Sequence, residues 1–501
     1  MQFNDERRTT CDRRQFNDSR LTSNHRMPIM AFAHETVLSL SCLALFFLTL
    51  AKTRPGTARA AALGLSALAV VTALWGLGAR GELFAGAYRV DALSQGVKLL
   101  VALGFFLAVA FGEGVRGVRA EHEPEYFLFL GVSTLGLTFL ASGFELLTIY
   151  IALELSSYAL YVLVPLRRDE HLHHVEAGIK YVLFGAAASG VSLFGMSYVF
   201  GLAHTTRVDE LLRLYPEIAA SPLGLLGLTM MLGGFFYKLA LFPFHFWTPD
   251  IYQGAANETS GVIATLPKVG AVVVLIRLTG LGGGDGGFAT VLTLLAVLSM
   301  TYGNLVALVQ EDLKRLLAYS SISHAGFMIA GILAGTARGY AGALYYVAGY
   351  LLMNLALFHV IYALAPKGEN VTLAHLRGLY RRSPLLALTL AVAAFGLAGI
   401  PPTAGFAGKF FVLAAALEKG HLALVIFGAL NTAISIYYYL KMVKAAYSPE
   451  ETEGGEAPAG RVALSPLGWA LGCAFVVAIL VVGSLPGPVL GWFHRAITWV
   501  A

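Results

Sequence analysis

The chain has 501 residues, 57% of them hydrophobic and 13% charged, where ordinary soluble domains carry about 25% charged residues. Its apolar residues fall in runs long enough to cross ~30 Å of hydrocarbon as helices, which identifies a multi-spanning membrane protein and excludes a disordered chain, a disulfide scaffold and, for most of the length, a soluble catalytic domain. The net charge of +5 sits in short inter-helical loops rather than in a nucleic-acid-binding stripe, and Cys11, Cys42 and Cys473 are too scattered for a cysteine-bound redox centre.

Residues 1–29 are polar, hold six arginines against four acids, and repeat Gln-Phe-Asn-Asp at 2–5 and 15–18. They lack the apolar core of a signal peptide. Two readings stand: translation starts at Met27 or Met30, or the segment is a disordered arm. Fourteen spans follow, at 35–53, 58–78, 92–113, 123–141, 143–165, 175–202, 221–246, 254–279, 286–309, 313–335, 339–364, 383–414, 420–444 and 465–487. The odd-numbered loops hold sixteen Lys and Arg against six in the even loops. Because basic loops stay on the cytoplasmic face, both termini are expected outside. Gly282 to Gly287 formally contains GxGxxG, but no strand precedes it, so it reads as a turn. Pro449 to Gly460, with four glutamates, reads as a solvated loop.

Charge inside the spans carries the chemistry, since a charged side chain at mid-helix costs ~2.5–3.5 kcal/mol or more and needs a partner, a water path or a task. Glu154, Lys238, Lys268 and Lys409 lie well inside apolar runs. One acid and three lysines cannot all be neutralised in pairs, and lysines in low dielectric are suited to exchanging protons. That is the composition of a proton relay; the plain alternative is static packing pairs or lysines snorkelling to the headgroups.

Prolines add a second signal, because a proline inside a span removes a backbone hydrogen bond and is tolerated where the opened backbone lines a cavity. Lys238 precedes Pro243 in the seventh span, whereas Pro401 and Pro402 precede Lys409 in the twelfth. Two broken helices five spans apart, with opposite order of charge and break, suggest two inverted five-helix repeats, spans four to eight and nine to thirteen. The expected division is therefore 1–29, 30–122 (spans 1–3), 123–279, 286–445, an acidic loop at 446–464, and 465–501 for span 14 and the tail. Lys180, His245, His324 and His359 are further relay candidates, because imidazoles and hydroxyls such as Ser320, Ser321 and Ser323 support water wires. Glu145, at the start of span five, reads as a helix cap. The tract His171, His173 and His174 lies beside Arg167 and Arg168 and makes a poor metal site.

The strings Leu-Glu-Leu-Ser-Ser-Tyr-Ala-Leu-Tyr-Val-Leu (153–163), Gly-Ile-Lys-Tyr (178–181), Phe-Tyr-Lys-Leu-Ala-Leu-Phe-Pro-Phe-His-Phe-Trp-Thr-Pro-Asp-Ile-Tyr-Gln-Gly-Ala (236–255), Leu-Lys-Arg-Leu-Leu-Ala-Tyr-Ser-Ser-Ile-Ser-His-Ala-Gly (313–326) and Leu-Ala-Gly-Ile-Pro-Pro-Thr-Ala-Gly-Phe-Ala-Gly-Lys-Phe (397–410) resemble the subunit N family of the proton-pumping NADH:quinone oxidoreductase, respiratory complex I. The resemblance covers about residues 90–445. It implies an all-α antiporter-like subunit of fourteen helices with two inverted five-helix repeats, in a bacterial-type inner membrane. By the same resemblance Glu154 and Lys238 form an ion pair, Lys268 is the central relay and Lys409 the terminal proton carrier; Lys180 and Glu176 also match family positions. No cofactor is expected in this chain: NADH, flavin, iron–sulfur clusters and quinone belong to partner subunits. The partners implied are the other membrane-arm subunits, the peripheral redox arm indirectly, lipid and protons, and no nucleic acid. The competing reading is a multi-subunit cation/proton antiporter, or a ferredoxin- or hydrogenase-linked membrane complex. Trp247 to Tyr252 looks like subunit N, where the antiporters typically carry a Leu-Pro-Asp-Ala-His type sequence. Ala255, Ala256, Asn257 and Glu258 depart from the Ala-Pro-Thr-Pro usual in the family, which puts the start of span eight in doubt.

Overall fold

A computed structural model describes residues 30–51, 56–111, 114–168, 172–279, 287–449 and 460–498. The 1–29 extension, Gly282 to Asp285 and Gly286 of the glycine turn, His171 and 450–459 of the acidic loop lie outside them. Among the described residues, thirteen helices are long and apolar enough to cross a membrane. In chain order they and their companions are α1 (Ala33–Leu50), α2 (Thr57–Trp75), a hairpin of β1 (Gly81–Leu83) and β2 (Tyr88–Val90), α3 (Ala92–Val109), α4 (Glu123–Ser142), α5 (Leu146–Leu163), α6 (His173–Ala203), α7 (Val208–Ala220), α8 (Pro222–Met231), α9 (Gly233–Leu239), α10 (Thr248–Gly254), α11 (Asn257–Thr279), α12 (Gly287–Ala307), α13 (Leu313–Leu333), α14 (Ala337–Leu364), α15 (Pro384–Ala398), α16 (Ala404–Glu418), α17 (Leu422–Tyr447), α18 (Pro466–Ser484) and α19 (Pro486–Thr498).

The run expected as one span over 383–414 is two short helices, α15 and α16, interrupted at 399–403. The run expected to continue to 246 stops at Leu239, and 240–247 passes without helix into α10. Proline is the physical reason in both, since Pro243, Pro401 and Pro402 offer no N–H to the carbonyl four residues earlier. The hairpin and the amphipathic α7 and α19 are elements that span counting does not register.

Local chemistry fixes the helix starts. Asp91 and Ser94 form a reciprocal capping box on α3, and the Glu145 carboxylate accepts the Thr148 N–H at 2.8 Å, as a cap should. Glu145 is half-exposed; burial pushes its carboxyl up, but bonds from Thr206, Thr148 and Leu147 outweigh that and hold it below the usual value. On one end of the bundle Arg167 ties loops together, donating to Gln253 O at 2.6 Å and to Asn370 Oδ1 at 2.9 Å. On the other end Arg207 donates to Ala85 O of the hairpin at 2.9 Å. Helix α5 lies close against α4 because Gly136 has no side chain: a Cβ there would stand 2.6 Å from Ser156 N. At the centre, α11 and α13 are buried along their whole apolar stretch, while α1, α2, α6, α12, α17 and α18 turn an apolar side outward.

Candidate functional site

Lys238 is the penultimate residue of α9, in the last turn, where a cation meets the negative end of the helix dipole. It is 3% exposed. Its Nζ lies 5.6–5.7 Å from the ring centroids of Tyr161, Tyr181 and Tyr237 and has no hydrogen-bond partner among the described residues. Three ring faces stabilise the ammonium by cation–π attraction, and Glu154 lies within electrostatic reach of it without a direct contact. Glu154, on α5, instead accepts the Ser189 hydroxyl from α6. The ion pair that the resemblance implies is therefore not closed in this structure, although both groups are buried on neighbouring elements. The cage is held by Trp247, which stacks 5.0 Å from Tyr181 and donates Nε1–H to Tyr237 O at 3.1 Å.

Lys268 is fully buried on α11, and its Nζ donates to the carbonyls of Leu239 and, at 3.4 Å, Ser321. Leu239 is the residue four before Pro243, so its carbonyl has lost its helical donor and the lysine supplies one. The chain leaves α9 through Ala240 at φ +61°, with Leu241 N–H returning to Phe236 O at 2.9 Å.

The second break repeats the device. Lys409 on α16 donates to Leu397 O at 2.9 Å and to Ala398 O at 3.0 Å. These are the carbonyls four before Pro401 and Pro402. Gly399 completes the turn at φ +88°, and a Cβ there would stand 3.0 Å from Lys409 Cδ, so both the backbone and the lysine require glycine. A buried carbonyl without a donor costs ~1–3 kcal/mol. Each lysine thus removes a penalty that the prolines create, and the carbonyl dipoles stabilise its charge.

His324 stands between these two lysines and within electrostatic reach of both. Its Nδ1 lies 2.5 Å from Tyr346 Oη and its Nε2 3.1 Å from Tyr439 Oη, and Tyr439 continues to Ser320 Oγ at 2.5 Å. Every link can both give and take a proton. His245, in the broken segment, is buried against Phe246 at 4.5 Å and Tyr302 at 4.6 Å, and neither ring nitrogen has a partner among the described residues. His359 is not brought to the lysines: its Nε2 lies 3.1 Å from Gly468 O, tying α14 to α18.

Lys180 is not a mid-membrane station either. It is half-exposed at the first turns of α6, with Nζ 2.7 Å from both Glu176 and Asp250 carboxylates, and Asp250 also meets Arg315 at 2.9 Å. Lys180, Glu176 and Asp250, with Arg167, His173, Gln253 and Asn370, line a polar cavity of 220 Å³ opening at one end of the bundle. Burial pushes the Asp250 carboxyl up, but Lys180 and Arg315 outweigh that and hold it below the usual value. The Ala255–Glu258 segment is bonded to its surroundings, with Lys314 donating to Ala255 O and Arg116 N–H to Glu258 Oε1, each at 2.7 Å. Among the described residues, no group of three or more His, Cys, Asp or Glu is arranged as a metal site. The orphaned carbonyls and the tyrosine cage were missed from sequence, though the position four before each proline carries the signal for the carbonyls.

Residues 144–435 match the family described as NADH:quinone oxidoreductase/Mrp antiporter, TM. An NADH-quinone oxidoreductase subunit N 2 from Solidesulfovibrio magneticus is 51% identical over 84% of this chain and 88% of its own length. The chain belongs to the subunit N family. A chain of respiratory complex I from Thermus thermophilus superposes on this subunit N family member with a TM-score of 0.79 at 34% identity, covering 91% of this chain and 98% of that one. The Mrp complex from a Dietzia species contains a chain of the same fold, TM-score 0.83 over 94% of this chain and 97% of that one, at 18% identity, a likeness of fold alone.

Proposed function

We propose that this chain is the proton-translocating membrane-arm subunit N of an NADH:quinone oxidoreductase, in which quinone reduction elsewhere drives protons through its buried lysines. The observation that carries the reading is the row Lys238, Lys268, His324, Lys409, in which the lysines of both broken helices have polar, uncharged cradles instead of fixed counter-ions. Such a lysine can lose its proton without stranding a buried carboxylate.

Protons are taken up at the polar mouth around Lys180 and Asp250. That mouth shares a face with the Lys- and Arg-rich loops, which supports a cytoplasmic uptake side with both termini outside a bacterial-type inner membrane. Approach of Glu154 to Lys238 favours the charged lysine; retreat to Ser189 leaves the ammonium with the tyrosine cage alone and favours passing the proton towards Lys268. His324 and its tyrosines then carry the charge to Lys409. The division into spans 4–8 and 9–13 as inverted repeats fits the two lysine-held breaks. Moving one charge against 100 mV requires ~2.3 kcal/mol, so the redox step must come from partner subunits that hold NADH, flavin, iron–sulfur clusters and quinone.

The test is Lys238→Met in the intact complex, reconstituted in vesicles, with quinone reduction and proton translocation recorded together. Parallel loss of pumping and slowed electron transfer at full assembly is the expected result. Unchanged pumping would reduce the lysine to packing. Copurification with antiporter subunits in place of flavin and iron–sulfur subunits would favour the cation/proton antiporter.

A further inference from the structure

A second buried charge cluster lies outside the lysine row, built mainly on α1 and α3, which the row does not use. Lys98 of α3 and Glu35 of α1 are both fully buried and paired at 2.6 Å. The same carboxylate oxygen, Oε1, also accepts the Tyr88 hydroxyl at 2.6 Å, while Oε2 has no partner among the described residues. Next to it His34 bonds Thr72 Oγ1 through Nδ1 at 2.9 Å and leaves Nε2 without a partner. Arg277 of α11 closes the cluster, its Nη2 donating to both Asp91 carboxylate oxygens at 2.9 Å, and Asp91 also caps α3. Both oxygens of Asp91 are engaged, by Arg277 and by the cap of α3, so that carboxylate has no free side. Half of the Glu35 carboxylate is unused.

A polar line leads to this cluster. Ser133, Thr134, Thr138 and Ser142 lie along α4, all buried, and Ser142 stands beside the Tyr88 hydroxyl. Thr134, Thr138 and Ser142 recur at i and i+4, ~6 Å apart along the axis, a gap that one water bridges; Ser133 is the chain neighbour of Thr134, and the Thr134 and Thr138 hydroxyls donate to Leu130 O and Thr134 O and offer their lone pairs to such a water. At the other end Ser133 Oγ meets Ser156 Oγ of α5 at 2.9 Å, one residue from Ser157, which stands beside Tyr161 of the Lys238 cage. Apolar side chains would pack this interface at no greater cost than a buried ion pair, so charge and hydroxyls here need a task.

We propose that Glu35 and Lys98 form a proton-release site at the face opposite the Lys180 mouth, fed from the Lys238 region along the hydroxyls of α4. This rests on the proton-translocating reading above. A proton handed along the hydroxyls to Tyr88 is accepted by the Glu35 carboxylate, which becomes the neutral acid and loosens its hold on Lys98. The imidazole of His34 then takes the proton and gives it to solvent. Glu35 returns to the carboxylate and to its lysine, with no net change in the site.

The experiment uses the intact complex in vesicles with a pH dye in the lumen, comparing Glu35→Gln and Thr138→Val with Lys409→Met. Thr138→Val removes no charge and changes volume little, so it assembles even where Glu35→Gln fails to. The rate of lumen acidification is expected to fall about a hundredfold in Thr138→Val and in assembled Glu35→Gln, the lower end of the range that a single positioned proton carrier contributes. Normal acidification by Thr138→Val, whether or not Glu35→Gln assembles, overturns the release site; if Lys409→Met is impaired at the same time, the lysine relay stands without it. Normal acidification by Lys409→Met as well removes the proton-translocating reading itself.

Discussion

Lys409 places its Nζ 2.9 Å from the carbonyl of Leu397, the group that Pro401 deprives of a helical donor. The lysine is therefore both a proton-exchanging group and a structural cap, and the two roles separate by substitution. Lys409→Gln keeps a donor for Leu397 and Ala398 but carries no exchangeable charge. It is expected to retain thermal stability while abolishing translocation. Lys409→Met loses both, destabilising by ~1–3 kcal/mol for each carbonyl left unpaired. Thermal melting of the intact complex beside vesicle acidification checks the split.

Around Lys238 the stabilising element is a ring face, not a hydroxyl. Tyr181→Phe preserves the face 5.7 Å from Nζ and is expected to leave pumping near normal. Tyr181→Leu loses an attraction of ~0.5–2 kcal/mol and loosens the Trp247 stack, so the rate should fall several-fold. Steady-state quinone reduction coupled to proton uptake reads both.

His324 joins Tyr346 to Tyr439 through its two nitrogens. His324→Phe fills the volume and cuts the connection, so proton transfer to Lys409 should slow while assembly is kept. Equal pumping rates in His324→Phe and the unsubstituted complex would mean that protons bypass the imidazole.

At the mouth, the Asp250 carboxyl is held below its ordinary range by Lys180 and Arg315 against the opposing effect of burial. A depressed carboxyl contributes stability that is complete above its unfolded value of 3.8 and is lost as pH falls through the lowered folded value. Asp250→Asn should therefore melt lower than the unsubstituted complex near neutrality and converge with it in acid. Melting temperature against pH tests the sign.

The lysines and the breaks were legible in the sequence because each contradicts its surroundings: Lys268 stands in Leu-Pro-Lys-Val-Gly, and Pro243 and Pro401 interrupt apolar runs. What the lysines touch was not legible, since Leu239 lies 29 residues from Lys268 and only folding joins them. Lys98 shows a different failure. It sits six residues inside the expected span 92–113, yet one lysine near a span end passes for a snorkelling side chain until Glu35 is found opposite. Where His359 and Lys180 lie was not legible either, His359 against Gly468 O and Lys180 at the polar mouth, because a one-dimensional pattern does not say which helix face or depth a residue takes. Helix α7 and the hairpin were missed because neither is long enough to register as a span.

Helices α11 and α13, which hold Lys268 and His324, are enclosed by the other helices along their apolar stretch. They therefore never touch a lipid tail. A change of acyl-chain length or bilayer thickness has to be absorbed by the outward-facing helices, leaving the spacing at the centre to be set by protein packing alone. The working parts sit like the conductor of an insulated cable, and an organism can remodel its membrane with temperature without retuning them.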